Sequence, residues 1–159
     1  MRYICVDPGS AVSAFVVWDG ERVLWKGKRN NSELLIVSEN GKDSIIVIEM
    51  IASYGMPVGK EVFETCLWIG RFIQVGVMSG SQVYLVYRRD IKMHHCNSVK
   101  AKDSNIRQSI IDKYGKPGTK KSPNVVYNDS VEKMSGDLWA AFAIATAVTE
   151  NPNLKMFQI

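Results

Sequence analysis

Two short apolar runs, each closed by an acidic residue, constrain this chain more than any other feature. Residues 2–6 are predicted to form a strand that Asp7 ends, and residues 44–49 place four consecutive β-branched residues before Glu49. A continuous β-branched run is typical of a strand that is buried on both faces. An ionised carboxylate at the end of such a strand is costly unless a cation compensates it. A metal ion is one such cation, provided that other acids converge on the same point.

The alternation of side chains along a strand indicates where these two acids point. Asp7 falls on the same face of its strand as Cys5, and Glu49 falls on the same face as Val47. If the strands are parallel neighbours, roughly 4.8 Å apart, both carboxylates emerge at one edge of the sheet. A parallel pairing needs a crossover connection, and the segment between the two runs is long enough to provide one.

A third acid comes from the alanine-rich end of the chain, where residues 131–149 are predicted to form the last helix. Small residues let that helix approach the sheet closely, so Asp137 is expected to reach the acids at the strand ends. Hard oxygen ligands of this kind suit Mg²⁺ or Mn²⁺, and a pair of such ions can clamp the attacking and leaving oxygens of a phosphodiester. The alternative for each acid alone is that it only caps its own strand or helix.

The remaining pattern predicts an α/β domain. Asp19-Gly20 is a hairpin signal between strands at residues 12–18 and 21–26, so the chain opens with an antiparallel three-strand meander. Residues 30–39 predict a short helix capped by Asn31 or Ser32. Residues 83–87 predict another buried strand, and residues 116–129 lack periodicity and predict a mobile basic loop.

Three further helices are predicted from apolar spacing and capping residues. The first covers residues 60–78 and carries an apolar stripe formed by Val62, Cys66, Ile69, Ile73 and Val77. The second begins at an Asp90 cap and runs to residue 97. The third begins at Asp103 or Ser104 and ends before Gly115, which supplies the stop.

Composition and charge limit the class of protein. A chain of 159 residues fits one domain, residues 1–159, and no apolar run approaches the length of about 18 residues that a membrane span needs. The N-terminus does not resemble a signal peptide, and three widely spaced cysteines fit a reducing cytosol. Residues 88–121 hold ten Lys or Arg against three Asp, so the rest of the chain is net acidic. Such a basic segment indicates nucleic-acid binding, or else a solvated lysine-rich surface.

The acid motifs together resemble the RuvC family of Holliday-junction resolvases, and most of all its phage-encoded branch. The resemblance rests on the turn Asp7-Pro-Gly-Ser10, the apolar strand ending in Glu49, and the segment Gly136-Asp-Leu-Trp-Ala-Ala141. It implies an RNase H-like fold with a five-stranded mixed sheet, an antiparallel three-strand meander plus two parallel strands, flanked by helices. It also implies a homodimer that cuts four-way DNA junctions by paired Mg²⁺-dependent nicks, with Mn²⁺ as a possible substitute. Neither a membrane nor a nucleotide cofactor is expected, and the expected location is the cytosol of a phage-infected or bacterial cell.

The resemblance assigns Asp7, Glu49 and Asp137 to the catalytic and metal-binding acids of the family. RuvC enzymes usually carry a further acid three residues before the last one, and Met134 occupies that position here. Glu132 or Asp129, just upstream, is a candidate substitute ligand. The fourth acid therefore stays open.

Basic and aromatic residues beside the acids are candidates for DNA contacts. By the resemblance, lysines before the Asp103 helix contact phosphates, an arginine extends that surface, and a lysine pair in the loop forms a second clamp; these residues are Lys92, Lys100, Lys102, Arg107, Lys120 and Lys121. Tyr54 either matches the aromatic that RuvC enzymes insert near the junction centre or is an ordinary loop tyrosine. His94, His95 and Cys96 lack a second ligand pair at zinc spacing, and either histidine is a weaker candidate to face phosphate or activate water.

Three functions are compatible with these features. The first is a structure-selective endodeoxyribonuclease that resolves four-way or branched DNA with metal ions. The second, motivated by Met134, is a catalytically weak junction-binding protein of the same fold. The third is an actin-like nucleotide-binding fold, which usually needs two such halves, whereas 159 residues supply one.

Overall fold

One mixed β-sheet with helices on both faces forms the protein in a computed structural model that describes residues 1–159. The six strands are β1 (Arg2–Asp7), β2 (Val12–Trp18), β3 (Val23–Asn30), β4 (Ser44–Met50), β5 (Gln82–Tyr87) and β6 (Phe157–Gln158). The five helices are α1 (Asn31–Glu39), α2 (Lys60–Met78), α3 (Arg88–Cys96), α4 (Asp103–Tyr114) and α5 (Leu138–Glu150). No helix combines the length and apolar character that crossing a bilayer requires.

The strand order β3-β2-β1-β4-β5-β6 confirms the predicted α/β architecture. β1 pairs with β2, and β2 with β3, in antiparallel fashion, which is the expected meander. β4 lies parallel to both β1 and β5, and its pairing with β1 is the one that the crossover length allowed. The sheet has six strands rather than five, because β6 adds to β5 through the pair Leu85 and Phe157. A two-residue strand carries no alternation pattern, so the sequence did not reveal it.

The two faces of the sheet bury separate cores. Cys5 and Val47 face α3, α4 and α5 in the larger core, which the aromatic side chains of Trp18, Tyr127 and Phe142 fill. Ile4, Val6, Ile46 and Ile48 face α1 and α2 in the smaller core. Because successive side chains of a strand alternate, every second residue of β1 and β4 points toward α5.

The Asp19-Gly20 turn forms as predicted, but β3 lies further along the chain than predicted. Asp19 accepts hydrogen bonds from the backbone N–H groups of two following residues (both 2.8 Å), and Gly20 adopts φ 100°, which glycine permits without strain. The strand runs to Asn30 instead of ending at Lys26, and Lys26 is buried within it. Its Nζ donates to the carbonyl oxygens of Tyr127 (2.6 Å) and Asn128 (3.0 Å). Sequence reasoning took the lysine-rich continuation as the end of the strand.

The last helix is shorter than predicted. It begins at Leu138 instead of residue 131, with Asp137 as its N-cap residue. Gly136 adopts φ 50°, a left-handed conformation that interrupts a right-handed helix. The turns before Gly136 place Met134 in the core, where it is almost fully buried. Asp137 is therefore presented by the start of α5 and not by a face in its middle.

The basic loop at residues 116–129 is tied to the core at its second half, contrary to the expectation of a mobile segment. Tyr127 is fully buried, and its hydroxyl donates to the carbonyl of Gly115 (2.5 Å). The carboxylate of Asp129 accepts from the backbone N–H groups of Gly118 (2.5 Å) and Asn124 (3.0 Å). Since such contacts join residues distant in the chain, local periodicity does not reveal them.

Helix α2 buries a face that overlaps the predicted stripe in part, since Ile69 is buried and Ile73 packs against the core. Its buried residues are Thr65, Ile69, Phe72 and Gly76, whereas Val77 is exposed. A Cβ atom at Gly76 would lie 2.8 Å from the Cδ1 of Ile46, so glycine lets the helix lie close to β4. Both sides of α2 carry apolar residues, and spacing alone did not separate the buried side from the exposed one.

The starts of three helices differ by a few residues from the predictions. Asn30, not Asn31 or Ser32, is the N-cap of α1. Helix α3 begins at Arg88, directly after β5, instead of following an Asp90 cap. Helix α4 begins at Asp103 with Lys102 as its N-cap, and Gly115 ends it at φ 88° as expected.

Candidate active site at the sheet edge

Asp7 and Glu49 lie side by side at the carboxyl ends of β1 and β4. The parallel register pairs Cys5 with Val47 and Val6 with Ile48, and the next step along both strands is Asp7 and Glu49. Cys5 and Val47 belong to the core under α5, so the two acids point to that face as well. The parallel pairing therefore brings Asp7 and Glu49 together at one edge of the sheet, as the alternation of side chains predicted for parallel strands.

The turn after Asp7 is held by a buried polar network. Ser13 Oγ donates to Asn31 Oδ1 (2.5 Å) and accepts from the backbone N–H of Gly9 (3.0 Å). Asn31 Nδ2 donates to the carbonyl of Gly9 (2.8 Å). A Cβ atom at Gly9 would lie 2.2 Å from the carbonyl oxygen of Val12, so only glycine fits this turn. Asn31 thus fixes the chain beyond Asp7 and does not cap α1.

Asp137 reaches the same edge from the N-terminus of α5, and Lys28 binds it. The Lys28 Nζ lies 2.7 Å from Asp137 Oδ2, and both side chains are about half exposed. The antiparallel registers pair Asp7 with Ala14 and Ala14 with Lys28, so these residues form one row across three strands. Sequence reasoning missed Lys28, since only the registers bring it to the acids.

Arg88 lies on the other side of Asp7 from Lys28, beside Glu49. Its Nη1 lies 3.2 Å from Glu49 Oε2, and its Nη2 donates to the carboxylate of Asp103, the first residue of α4. The parallel register pairs Glu49 with Val86, two residues before Arg88. Sequence reasoning named neither Arg88 nor Asp103 as a site residue. The signal available was the position of Arg88 directly after a predicted parallel strand.

The acids share one electrostatic field. Burial raises the pKa of Asp7 to about 7, and the carboxylates of Glu49 and Asp137 act in the same direction. Arg88 opposes this rise and Asp103 adds to it. Burial also raises the pKa of Glu49, against the opposing effect of Arg88. A buried carboxyl whose pKa is raised by neighbouring carboxylates favours a bound cation beside it.

The donor chemistry fits a hard divalent cation such as Mg²⁺ or Mn²⁺. Asp7, Glu49 and Asp137 would hold it, because all three offer carboxylate oxygens at one edge. No three His, Cys, Asp or Glu side chains already converge as ready metal ligands. Glu49 and Asp137 are instead engaged by Arg88 and Lys28. A divalent cation would therefore compete with these two side chains for the carboxylates.

The candidate substitutes for a fourth acid face elsewhere. Glu132 pairs with Arg29 (3.7 Å), and Asp129 is buried where it holds the basic loop. Met134 lies in the core. A metal-binding role for Glu132 stays a prediction that no contact supports, and Asp103 is the additional carboxylate whose charge acts on Asp7 and Glu49.

Several of the predicted DNA-binding residues surround the acids. Arg107 lines a cavity of about 260 Å³ together with Arg88, Asp103 and Asp137. Lys92 and Tyr54 line a second cavity of about 380 Å³, which Arg88 also borders. The remaining predicted contacts are exposed lysines before α4 and in the basic loop, namely Lys100, Lys102, Lys120 and Lys121.

Tyr54 projects from the loop that follows β4. It adopts φ 48°, and 59% of its surface is exposed. Its neighbours across the second cavity are cationic, and Arg89 is among them. This position at a cationic rim is compatible with stacking on a DNA base as well as with an ordinary loop tyrosine.

The histidine pair ties α3 to α5. His94 Nε2 lies 2.8 Å from Glu150 Oε2, and His95 Nε2 lies 2.9 Å from the carbonyl oxygen of Ala143. Lys113 also binds Glu150 (2.7 Å). Both histidines therefore hold α3 against α5, and they lie away from the row of acids.

The raised pKa of Asp7 predicts that the metal-free protein loses stability as the pH rises. A carboxyl whose folded-state pKa exceeds its unfolded value stabilises the fold below the unfolded pKa and loses that contribution as the pH rises through the folded one. Between about pH 4 and about pH 8 the contribution of Asp7 should fall by up to about 4 kcal/mol. Urea unfolding in EDTA at both pH values should show this loss, and Asp7→Asn should reduce it.

The control for this comparison is Asp43→Asn, in an exposed turn before β4. Asparagine tolerates the positive φ of Asp43, so this variant should keep the pH dependence of the wild type. An Asp7→Asn protein with the same pH dependence as both would show that Asp7 has no raised pKa.

Comparison with known proteins finds matches among solved structures but none among family models or curated proteins. No protein-family model matches the chain, and no curated protein matches it. Among solved structures, Thermus thermophilus RuvC superposes with a TM-score of 0.67 at 14% identity, over 92% of both chains. T. thermophilus RuvC in complex with a Holliday junction substrate superposes with a TM-score of 0.66 at 13% identity, over 92% of this chain and 91% of that one. Together with the sheet order and helix positions, these superpositions show that the chain has a RuvC-like fold.

Proposed function

We propose that this chain is a structure-selective endodeoxyribonuclease that resolves four-way or otherwise branched DNA by paired, metal-dependent phosphodiester hydrolysis. The observation that carries the proposal is the placement of Asp7, Glu49 and Asp137 at one edge of a RuvC-like sheet. A solved structure of T. thermophilus RuvC with a Holliday junction substrate adds support for branched DNA as the partner. Mg²⁺ is the proposed cofactor, with Mn²⁺ as a substitute, and the proposed location is bacterial cytosol.

The residues around the edge have separable roles in this proposal. A divalent cation held by the three acids would supply charge neutralisation and activation of the attacking water. Lys92 and Arg107 would bind phosphates on either side of the cut, which positions the duplex without reading base sequence. Tyr54 would stack on a base that is unpaired at the branch point. The buried Ser13–Asn31 network keeps Asp7 in place while the DNA binds.

The test is a cleavage assay with a labelled synthetic four-way junction and a linear duplex of the same sequence. Mg²⁺ or Mn²⁺ should yield symmetric nicks on the junction, EDTA should yield none, and the linear duplex should stay intact. Absence of cleavage with every divalent metal would refute the proposal, and junction binding that persists without cleavage would favour the second candidate, a catalytically weak binding protein. Binding should also weaken steeply with salt, since cationic side chains displace counterions from DNA.

We also propose that the active form is a homodimer and that α2 contributes to its interface. Paired nicks require two active sites, and the outward face of α2 carries Phe63, Leu67 and Met78 at helical spacing with 60%, 71% and 77% of their surfaces exposed. Exposed apolar side chains grouped in this way are typical of a protein contact.

Leu67→Glu is therefore expected to shift the protein from dimer to monomer, because a charge would be buried in the contact. Analytical ultracentrifugation should show at least about a tenfold rise in the dimer dissociation constant. Val125→Glu is the matched control, since Val125 is equally exposed but lies in the basic loop. A wild-type protein that sediments as a monomer at assay concentration would contradict the dimer.

A catalytically weak branched-DNA binding protein is the second candidate. Met134 favours it, because this residue is buried where the family usually carries an acid. The ion pairs Lys28–Asp137 and Arg88–Glu49 also favour it, since they already neutralise two of the acids. This candidate predicts junction binding that survives EDTA and yields no cut product with any divalent metal.

A further inference from the structure

The two ion pairs of Arg88 do not use all of the hydrogen-bond donors of its guanidinium. Its side chain is only 25% exposed and lines both cavities, the first of which Asp137 also lines. One guanidinium nitrogen binds Glu49 and the other binds Asp103, and no other protein acceptor takes its remaining donors. A guanidinium carries five N–H donors in a rigid fork, so donors are left for a ligand in either cavity.

The partner that orients Arg88 is itself exposed. The side chain of Asp103 is 80% exposed at the first turn of α4. Exposed ion pairs contribute little to protein stability, so this contact has little value as a structural bond. The contact has a larger effect on the orientation of Arg88, because Asp103 holds one nitrogen of its planar guanidinium and would still hold it where a divalent cation competes for Glu49. Arg107, on the same cavity wall, adds a second cation for a phosphate.

A guanidinium in this position matches the chemistry of phosphodiester hydrolysis. Water adds to phosphorus and loses a proton, one phosphorus–oxygen ester bond breaks, and the leaving sugar oxygen gains a proton. Negative charge gathers on the non-bridging oxygens between these events, and a fixed guanidinium stabilises it by two parallel hydrogen bonds. The acids would repel that charge, so a fixed guanidinium beside them would add to the neutralisation that a divalent cation would supply.

We propose that Arg88 is a catalytic residue that binds the phosphate to be cut, and that Asp103 is a positioning residue that orients its guanidinium. This inference rests on the proposed nuclease function and adds to it a cation from the start of α3. The phosphate lies between Arg88 and the acids, in the cavity that Asp103, Arg107 and Asp137 line.

Single-turnover cleavage of a four-way junction, with enzyme in excess, separates this role from DNA binding. Arg88→Gln should lower the rate by ~10²- to 10³-fold, while junction affinity in EDTA changes by less than about fivefold. Arg88→Lys should recover part of the rate, because it restores the charge without the fork. Added guanidinium ion should raise the rate of Arg88→Ala at concentrations that leave the thermal unfolding temperature unchanged. Arg22→Gln, a remote surface arginine paired with Asp19, is the matched control and should match the wild type.

A double-mutant cycle tests the positioning role. Asp103→Asn should lower the rate by about tenfold in the wild-type background and have almost no effect in the Arg88→Gln background. Asp103→Glu should restore most of the loss, which an effect on folding alone would not produce. Equal losses in both backgrounds would overturn the positioning role.

The outcomes distinguish this inference from the proposed function. An active wild type with an Arg88→Gln rate within about threefold of it would overturn the catalytic role and leave the nuclease intact. Loss of junction affinity at an unchanged single-turnover rate would also overturn it, since Arg88 would then only bind DNA. A wild type that cuts nothing with any divalent metal would refute the nuclease and this inference together.

Discussion

Asp7→Asn is expected to abolish junction cleavage while leaving junction binding intact. The charges of Glu49 and Asp137 both act on Asp7, so under the proposed function its replacement would remove the central ligand of the divalent cation. The single-turnover cleavage rate should fall by at least ~10³-fold. Affinity for the junction in EDTA should stay the same or rise slightly, because a negative charge near the DNA phosphates is lost.

Asp43→Asn makes the same chemical change at the opposite end of β4 and should cleave at the wild-type rate. The fold of both variants is checked by their thermal unfolding in EDTA, where Asp7→Asn should be at least as stable as the wild type at alkaline pH. Undiminished nicking by Asp7→Asn would refute the proposed mechanism, because Asp7 is the middle one of the three proposed metal-binding acids.

Phe142→Ala is expected to cost about 3–5 kcal/mol in the free energy of unfolding. Phe142 is fully buried in the core between α5 and the sheet. Its ring makes edge-to-face contacts with Trp18, Tyr114 and Tyr127 at centroid distances of 5.2, 5.8 and 5.5 Å. Truncation leaves a cavity where α5, β2 and the basic loop meet, so the loop that Tyr127 anchors should loosen as well. Urea denaturation measures the loss.

Phe63→Ala is the control for this loss, because it removes the same atoms from an exposed position on α2. In the monomeric protein its cost should stay within about 0.5 kcal/mol. Similar losses for the two variants would mean that the core under α5 is not the main source of stability. Loss of protection in amide hydrogen exchange around Tyr127 in Phe142→Ala would locate the effect in the loop.

Strand patterns carried most of the fold information that could be read from the chain. The β-branched run before Glu49, the Asp19-Gly20 turn and the alternation in β1 are local signals, and the strands and the meander followed from them. The parallel pairing of β1 with β4 was a condition of the sequence argument and an implication of the RuvC resemblance, and the structure confirms it. β6 was missed because two residues have no period. The buried face of α2 was predicted only in part, because apolar residues lie on both of its sides and only packing against β4 selects one of them.

The beginning of α5 could not be predicted from the sequence for a different reason. The sequence was predicted to form a helix from residue 131 onward, but Gly136 in a left-handed conformation starts the helix at Leu138. That conformation is compatible with the upstream turns because Met134 and Tyr127 are buried in the core. Tertiary packing here decides between two local structures that the sequence permits.

The sequence alone predicted two strands that end in Asp7 and Glu49, and strand alternation predicted that the two acids meet at one edge if the strands pair in parallel. The structure supplied that pairing, and the left-handed Gly136 placed Asp137 at the start of α5. Only the tertiary structure decided which cations meet these acids. Lys28 arrives through two antiparallel registers, and Arg88 through the packing of α3 after β5 and its contact with Asp103 at the start of α4. These contacts join residues far apart in the chain, and their geometry depends on the whole sheet being assembled.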